Sequence, residues 1–269
     1  MSLGLVILTD EGVVLAAESL GTLLAQEQTE LRTKCPKCNQ DIKPQIGCPT
    51  CGTVLGPAPT LVKRYPAMHT HYCQKLFRLS NTAGMIIVGT PSFGEQKAQQ
   101  VVFGFVNWLT EENKIGHFAE QIVQDWAEYL VEAKAITSHR ETTEIVVAGI
   151  KERGSAIPFA QSMKIENGKF DLGTITNNGI VAIGVHDILD KMFTGGQIAQ
   201  YPVKEFPLQD AVEFADFLIQ TQIGVDKYSA KIPRVGGDID IAVVHPNHGF
   251  HWVRQKELHK AIGNARIDE

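Results

Sequence analysis

The opening eighteen residues constrain the fold most. Leu3-Gly4-Leu5-Val6-Ile7-Leu8 and Val13 to Glu18 are two apolar runs, and Asp10-Glu11-Gly12 between them is a hairpin signal. A chain that opens in this way commits its first segment to a pair of antiparallel strands. Residues 19–74 then change character: polar residues, Pro and Gly dominate, and all five cysteines fall there, four of them between residues 35 and 51. This stretch reads as an insertion with its stems. Regular structure resumes at Lys75-Leu76-Phe77-Arg78-Leu79, which alternates like a strand, and Gly84 to Gly89 is a continuous apolar run of the buried-strand type.

Residues 94–112 and 117–136 carry apolar side chains at helical spacing, Val102, Phe105, Val106 and Leu109 in the first and Phe118, Ile122, Trp126, Tyr129 and Leu130 in the second. Strands are expected at about 143–150, 158–165 and 179–184, helices at about 186–194 and 208–226, then strands at 238–244 and 250–253 and a last short helix. Antiparallel strands separated by helix pairs predict an α+β fold, with helices packed on the outer faces of two stacked sheets.

Composition excludes several classes. With 43% apolar and 20% charged residues, the chain is neither disordered nor collagen-like. Its net charge of −5 leaves no global basic footprint for nucleic acid. No apolar run approaches the roughly 18–20 residues needed to span a bilayer, and the amino terminus lacks the basic region of a signal peptide. The expected compartment is therefore the cytoplasm, with no membrane partner. Thiols are reduced there, so the cysteines read as metal ligands or buried thiols rather than disulfides.

Cys35-Pro36-Lys37-Cys38 and Cys48-Pro49-Thr50-Cys51 are two C-x-x-C pairs nine residues apart, followed by Gly52. Each turn points two sulfurs at one centre, so the pair predicts a tetrahedral, structural Zn2+ site with a closed coordination shell. The segment of about 29–64 resembles a zinc ribbon, a module too small to fold without its metal. From Thr29 to Arg64 there are six basic residues against two acidic ones. This modest excess reads as a solvated surface and not as a nucleic-acid face. Cys73 reads as a buried thiol.

Ser2 follows an initiator methionine, and its small side chain permits removal of Met1. A hydroxyl and a free α-amine would then share one residue, and an amine of pKa roughly 7.7–8.0 can accept the hydroxyl proton. Several segments extend this pattern. Glu18 follows Ser2 by sixteen positions, and Gly89 follows Lys75 by fourteen. Val235-Gly236-Gly237-Asp238 leads into the late strand, and Asp226-Lys227-Tyr228-Ser229 precedes it. In these segments the chain resembles the proteasome β-subunit family of N-terminal nucleophile (Ntn) hydrolases. The resemblance covers residues 1–18 and 75–269, with 19–74 inserted.

It implies a four-layer αββα sandwich, into which the small zinc ribbon with its four cysteine ligands would be inserted. It also implies a threonine/serine-type peptidase that cleaves amide bonds with Ser2 as nucleophile. Lys75 would lower the cost of the alkoxide, Glu18 would hold Lys75, the Gly89 N–H would face the oxyanion, and Asp226 and Ser229 would support the nucleophile. Two departures stand out: six residues separate Ser229 from Gly236, and the turn Gly184-Val185-His186-Asp187 carries no serine where the family has one.

The resemblance further implies peptide or protein substrates, a homo-oligomeric ring or helical stack, and an ATPase or adaptor partner, with the ribbon at the rim of the site. The rival readings are a catalytically inactive scaffold subunit that retains Met1, a ribbon module that binds nucleic acid or a protein partner, and a transpeptidase that passes the acyl group to an amine.

Overall fold

The protein is described here from a computed structural model. The structure describes residues 2–30, 33–34, 41–42, 50, 60–70, 73–89, 92–93, 96–133, 142–176, 179–194, 202–229 and 233–256. The chain divides into two compact units, Met1–Gly21 with Thr70–Glu269, and Thr22–His69.

The first unit opens with β1 (Leu3–Thr9) and β2 (Gly12–Glu18), paired through the Thr9 and Gly12 turn. All seven residues of each strand are buried. That burial explains why they read as unbroken apolar runs: strands covered on both faces lose the polar alternation of a half-exposed sheet. In the second unit β3 (Gly21–Glu30) pairs with β6 (Thr60–Thr70), and β4 (Thr33–Lys34) pairs with β5 (Asp41–Ile42).

The chain then runs β7 (Leu76–Arg78), β8 (Ala83–Gly89), β9 (Ser92–Phe93), β10 (Gln96–Lys97), α1 (Ala98–Glu111), α2 (Ala119–Glu132), β11 (Thr143–Ile150), β12 (Pro158–Glu166), β13 (Lys169–Thr176), β14 (Gly179–Gly184), α3 (Asp187–Thr194), a 3-10 turn at Val203–Glu205, α4 (Leu208–Lys227), β15 (Ile239–His245) and β16 (Gly249–Arg254). Two five-stranded sheets result, ordered β14-β1-β2-β15-β16 and β13-β12-β11-β8-β7, and every adjacent pair is antiparallel. The architecture is mixed α+β.

Side-chain alternation along the strands sorts the core into three clusters. Val6, Leu8, Val13 and Leu15 of the first sheet share one with Ile86, Val88, Val146 and Ala148 of the second. The opposite parity of the first sheet, Leu3, Leu5, Ile7, Val14 and Ala16, packs with Ala211, Ala215, Leu218 and Ile219 of α4. The opposite parity of the second, Met85, Ile87, Ile145 and Val147, packs with Val102 and Phe105 of α1 and with Ile122 and Trp126 of α2. In both helices the buried residues recur at three- and four-residue spacing, as an amphipathic face requires.

Expected and observed elements differ at the edges. Strand β13 is absent from the sequence-based expectation, although Asn167-Gly168 ahead of it is a hairpin turn with both residues at positive φ. The expected last helix lies outside the described residues. No helix among the described residues is long and apolar enough to cross a membrane.

The structural Zn2+ expectation is corrected. A tetrahedral site needs about four donors converging on one point, and among the described residues no group of three or more His, Cys, Asp or Glu side chains could hold a metal ion. Cys35, Cys38, Cys48 and Cys51, on which the ribbon and its metal were to rest, lie outside the described residues. Cys73 is a free, half-buried thiol whose pKa burial pushes up.

Candidate functional site

The end of β2 turns the Glu18 carboxylate into the interior, where it is fully buried. A buried carboxylate must be hydrogen-bonded and charge-compensated to persist, and Glu18 is both. Its Oε1 accepts from the Leu3 N–H at 3.0 Å and from the Lys75 ammonium. Its Oε2 accepts from the Leu20 N–H at 2.6 Å and the Gly236 N–H at 3.1 Å. Four chain segments thus converge on one side chain.

Lys75, just before β7, is also buried and sends a second donor to the Leu20 carbonyl at 2.7 Å. Burial holds its ammonium below the ordinary lysine range, against the opposing pull of Glu18. The pair that the resemblance implies is therefore formed, and it lies in the interior. The Leu20 carbonyl and the Gly236 N–H, which complete its shell, are backbone groups that carry no side-chain signal in the sequence.

The lowered pKa has a consequence for stability. A lysine whose folded-state pKa is depressed holds fewer protons in the folded than in the unfolded chain at pH values between the two. Unfolding free energy then rises with pH through that window, which ends near the unfolded value of about 10.4. Below the folded value the full cost of burying the charge is present. Denaturant unfolding of wild type at alkaline pH should contain this rising contribution, and Lys75→Met should lack it. Parallel pH slopes for the two proteins would contradict the assignment.

Ser2 is buried beside this cluster. Its carbonyl accepts from the Val185 N–H at 2.7 Å, and its following peptide N–H, that of Leu3, is the one that binds Glu18. Gly184, at φ +84°, passes so close that a Cβ there would lie 2.0 Å from the Ser2 carbonyl oxygen. The resemblance already places Gly184 in a turn at the site, but the close approach to the Ser2 carbonyl that requires glycine there is visible only in the structure.

Gly89 ends β8 at φ +104°, opposite Thr143. A Cβ there would meet the Thr142 carbonyl oxygen at 2.6 Å. Crowding from β11 and the left-handed backbone both require glycine at this position.

Asp226, at the end of α4, is buried and occupied by the following loop. It accepts from the Arg234 N–H, from Arg234 Nε at 2.9 Å and from the Val235 N–H at 3.3 Å. Arg234 also reaches Asp187 at 3.0 Å. Ser229 Oγ donates to the Asp226 carbonyl at 2.8 Å. The residue after Val235 is Gly236, so Asp226 connects to Glu18 through three consecutive residues of backbone. Arg234, which the sequence reading does not single out, locks that loop.

A second buried pair lies close by: Lys256 binds Asp240 through its ammonium and, at 3.0 Å, through its backbone N–H. The Lys256 charge is near enough to push the Lys75 pKa further down.

No protein-family model matches the chain, and no curated protein matches it.

Proposed function

We propose that the chain is an N-terminal nucleophile hydrolase, acting on the amide bonds of peptides or proteins once Met1 is removed. The observation that carries this reading is the sharing of one Glu18 oxygen. The peptide N–H adjoining Ser2 and the Lys75 ammonium both bind Oε1, so one carboxylate oxygen links a buried cation to the backbone of the candidate nucleophile.

In the proposed reaction the Ser2 hydroxyl gives its proton to its own α-amine as Oγ bonds to the substrate carbonyl carbon. The Lys75 charge favours both the developing alkoxide and the neutral amine. The Gly89 N–H stabilises the oxyanion. The proton passes to the departing amine as the C–N bond breaks, leaving an acyl ester on Ser2 that water hydrolyses. Glu18 holds Lys75, and Asp226 with Ser229 supports the site through the Arg234 to Gly236 loop. The three core clusters support, as part of the same proposal, a four-layer αββα arrangement.

Treatment of the full-length protein with a peptide epoxyketone tests the reading by intact mass and peptide mapping. The expected result is loss of Met1 and one adduct, located on Ser2 and abolished by Ser2→Ala. Retention of Met1 with no adduct would overturn the hydrolase reading in favour of a catalytically inactive scaffold.

A further inference from the structure

The turn that clasps Ser2 is itself held from the other sheet. Val185 donates to the Ser2 carbonyl, so along the edge strand β14 the preceding amide, Gly184 N–H, points away from β1. Among the described residues strand β14 has no second neighbour in its sheet. The Gly184 N–H is met instead by Glu144 Oε2 at 2.8 Å. Glu144 belongs to β11, where it sits opposite Val88 on one side and Lys164 on the other; its predecessor Thr143 sits opposite Gly89. The carboxylate also lines a cleft of about 270 Å³ between the sheets, with Ser162, Lys164, Asp171 and Ala182 among its walls.

We infer that Glu144 is a positioning residue for Ser2. A backbone N–H bound to a carboxylate is a charge-assisted contact, roughly twice as strong as a neutral one. Here it fixes the Gly184–Val185 turn, and the turn fixes the Ser2 carbonyl. The same strand fixes Gly89 by ladder register. One residue therefore sets the distance between the candidate nucleophile and the candidate oxyanion donor, which otherwise belong to different sheets. The turn from Gly184 to Asp187 has no hydroxyl side chain of its own, and the Glu144 carboxylate anchors it from the other sheet. This inference rests on the reading of Ser2 as nucleophile.

The experiment compares wild type, Glu144→Ala, Glu144→Gln and Glu144→Asp in the full-length protein, with two readouts. The first is inactivation by the epoxyketone, resolved into its maximal rate and its half-saturating concentration. Glu144→Ala should lower the maximal rate by roughly 10²-fold, the cost of about 1 Å of misplacement, with half-saturation unchanged. Glu144→Gln keeps an oxygen that accepts from Gly184 and should return most of the rate. Glu144→Asp draws that oxygen back by one methylene and should resemble alanine; it stands in if the alanine variant does not fold.

The second readout is hydrogen exchange of residues 180–187, which should accelerate in the alanine and aspartate variants and not in the glutamine variant. A wild-type rate in Glu144→Ala, or a glutamine variant as slow as alanine, would overturn the positioning role. So would unchanged exchange. If wild type itself takes no label, the reading of Ser2 fails, and the exchange data separately report whether Glu144 holds the turn.

Discussion

Glu18→Gln should lower the melting temperature by about 6–20 °C and abolish epoxyketone labelling of Ser2. The substitution keeps the size of the side chain and removes its charge, leaving the Lys75 ammonium buried without its counterion. Breaking a buried pair from one side typically costs about 3–5 kcal/mol, and a chain of this size shifts by about 2–4 °C per kcal/mol. Geometry adds to the loss. Glu18 is an acceptor for three backbone N–H groups besides Lys75, and the amide of glutamine turns one of its two acceptor atoms into a donor facing donors. Adding Lys75→Met removes the stranded cation, so the double variant should recover part of the melting temperature and none of the labelling. A melting temperature within about 2 °C of wild type for Glu18→Gln alone, less than 1 kcal/mol on the same scale, would show that the pair is not the compensated unit described.

The second large effect is expected at Asp240. Its carboxylate is almost fully buried against Lys256, itself nearly inaccessible. Asp240→Asn retains an oxygen for the Lys256 N–H but strands the ammonium, at a cost of about 3–5 kcal/mol. Lys256→Met combined with Asp240→Asn removes both charges and should recover more than half of that loss. Denaturant unfolding of the four proteins gives the coupling energy directly. Additive losses, with no recovery in the double variant, would mean that the two side chains contribute independently.

What can be read in the sequence follows from how each residue is buried. Strands β1, β2, β8 and β11 announce themselves because their apolar side chains face packed layers. Glu18 and Lys75 are legible because a charged residue at the edge of an apolar run demands a partner. Strand β13 is not legible: it is an edge strand with Leu172 and Ile175 exposed, so burial imposes little pattern on it.

Glu144 sits between the buried residues Thr143 and Ile145 at the start of an otherwise buried strand, and nothing in its spacing marks a partner. Only the crossing of the two sheets shows where it leads. Asp226 illustrates a different limit. Its place at the end of a helix is plain, but the six residues before Gly236 bring Arg234 back onto it, and no periodicity encodes that return. The Leu20 carbonyl and the Gly184 N–H are backbone atoms, present at every position and therefore invisible as pattern.

The Gly236 amide reaches Glu18 from 218 residues further along the chain. At about 5–20 residues per second of synthesis, roughly 10–45 s separate the emergence of the two from the ribosome. During that interval a nascent chain can form the first hairpin and the Lys75 strand, but the carboxylate still lacks one of its donors. A stalled or truncated product ending before that glycine cannot assemble the complete cluster. Any reactivity the carboxylate supports is deferred until that glycine has been translated.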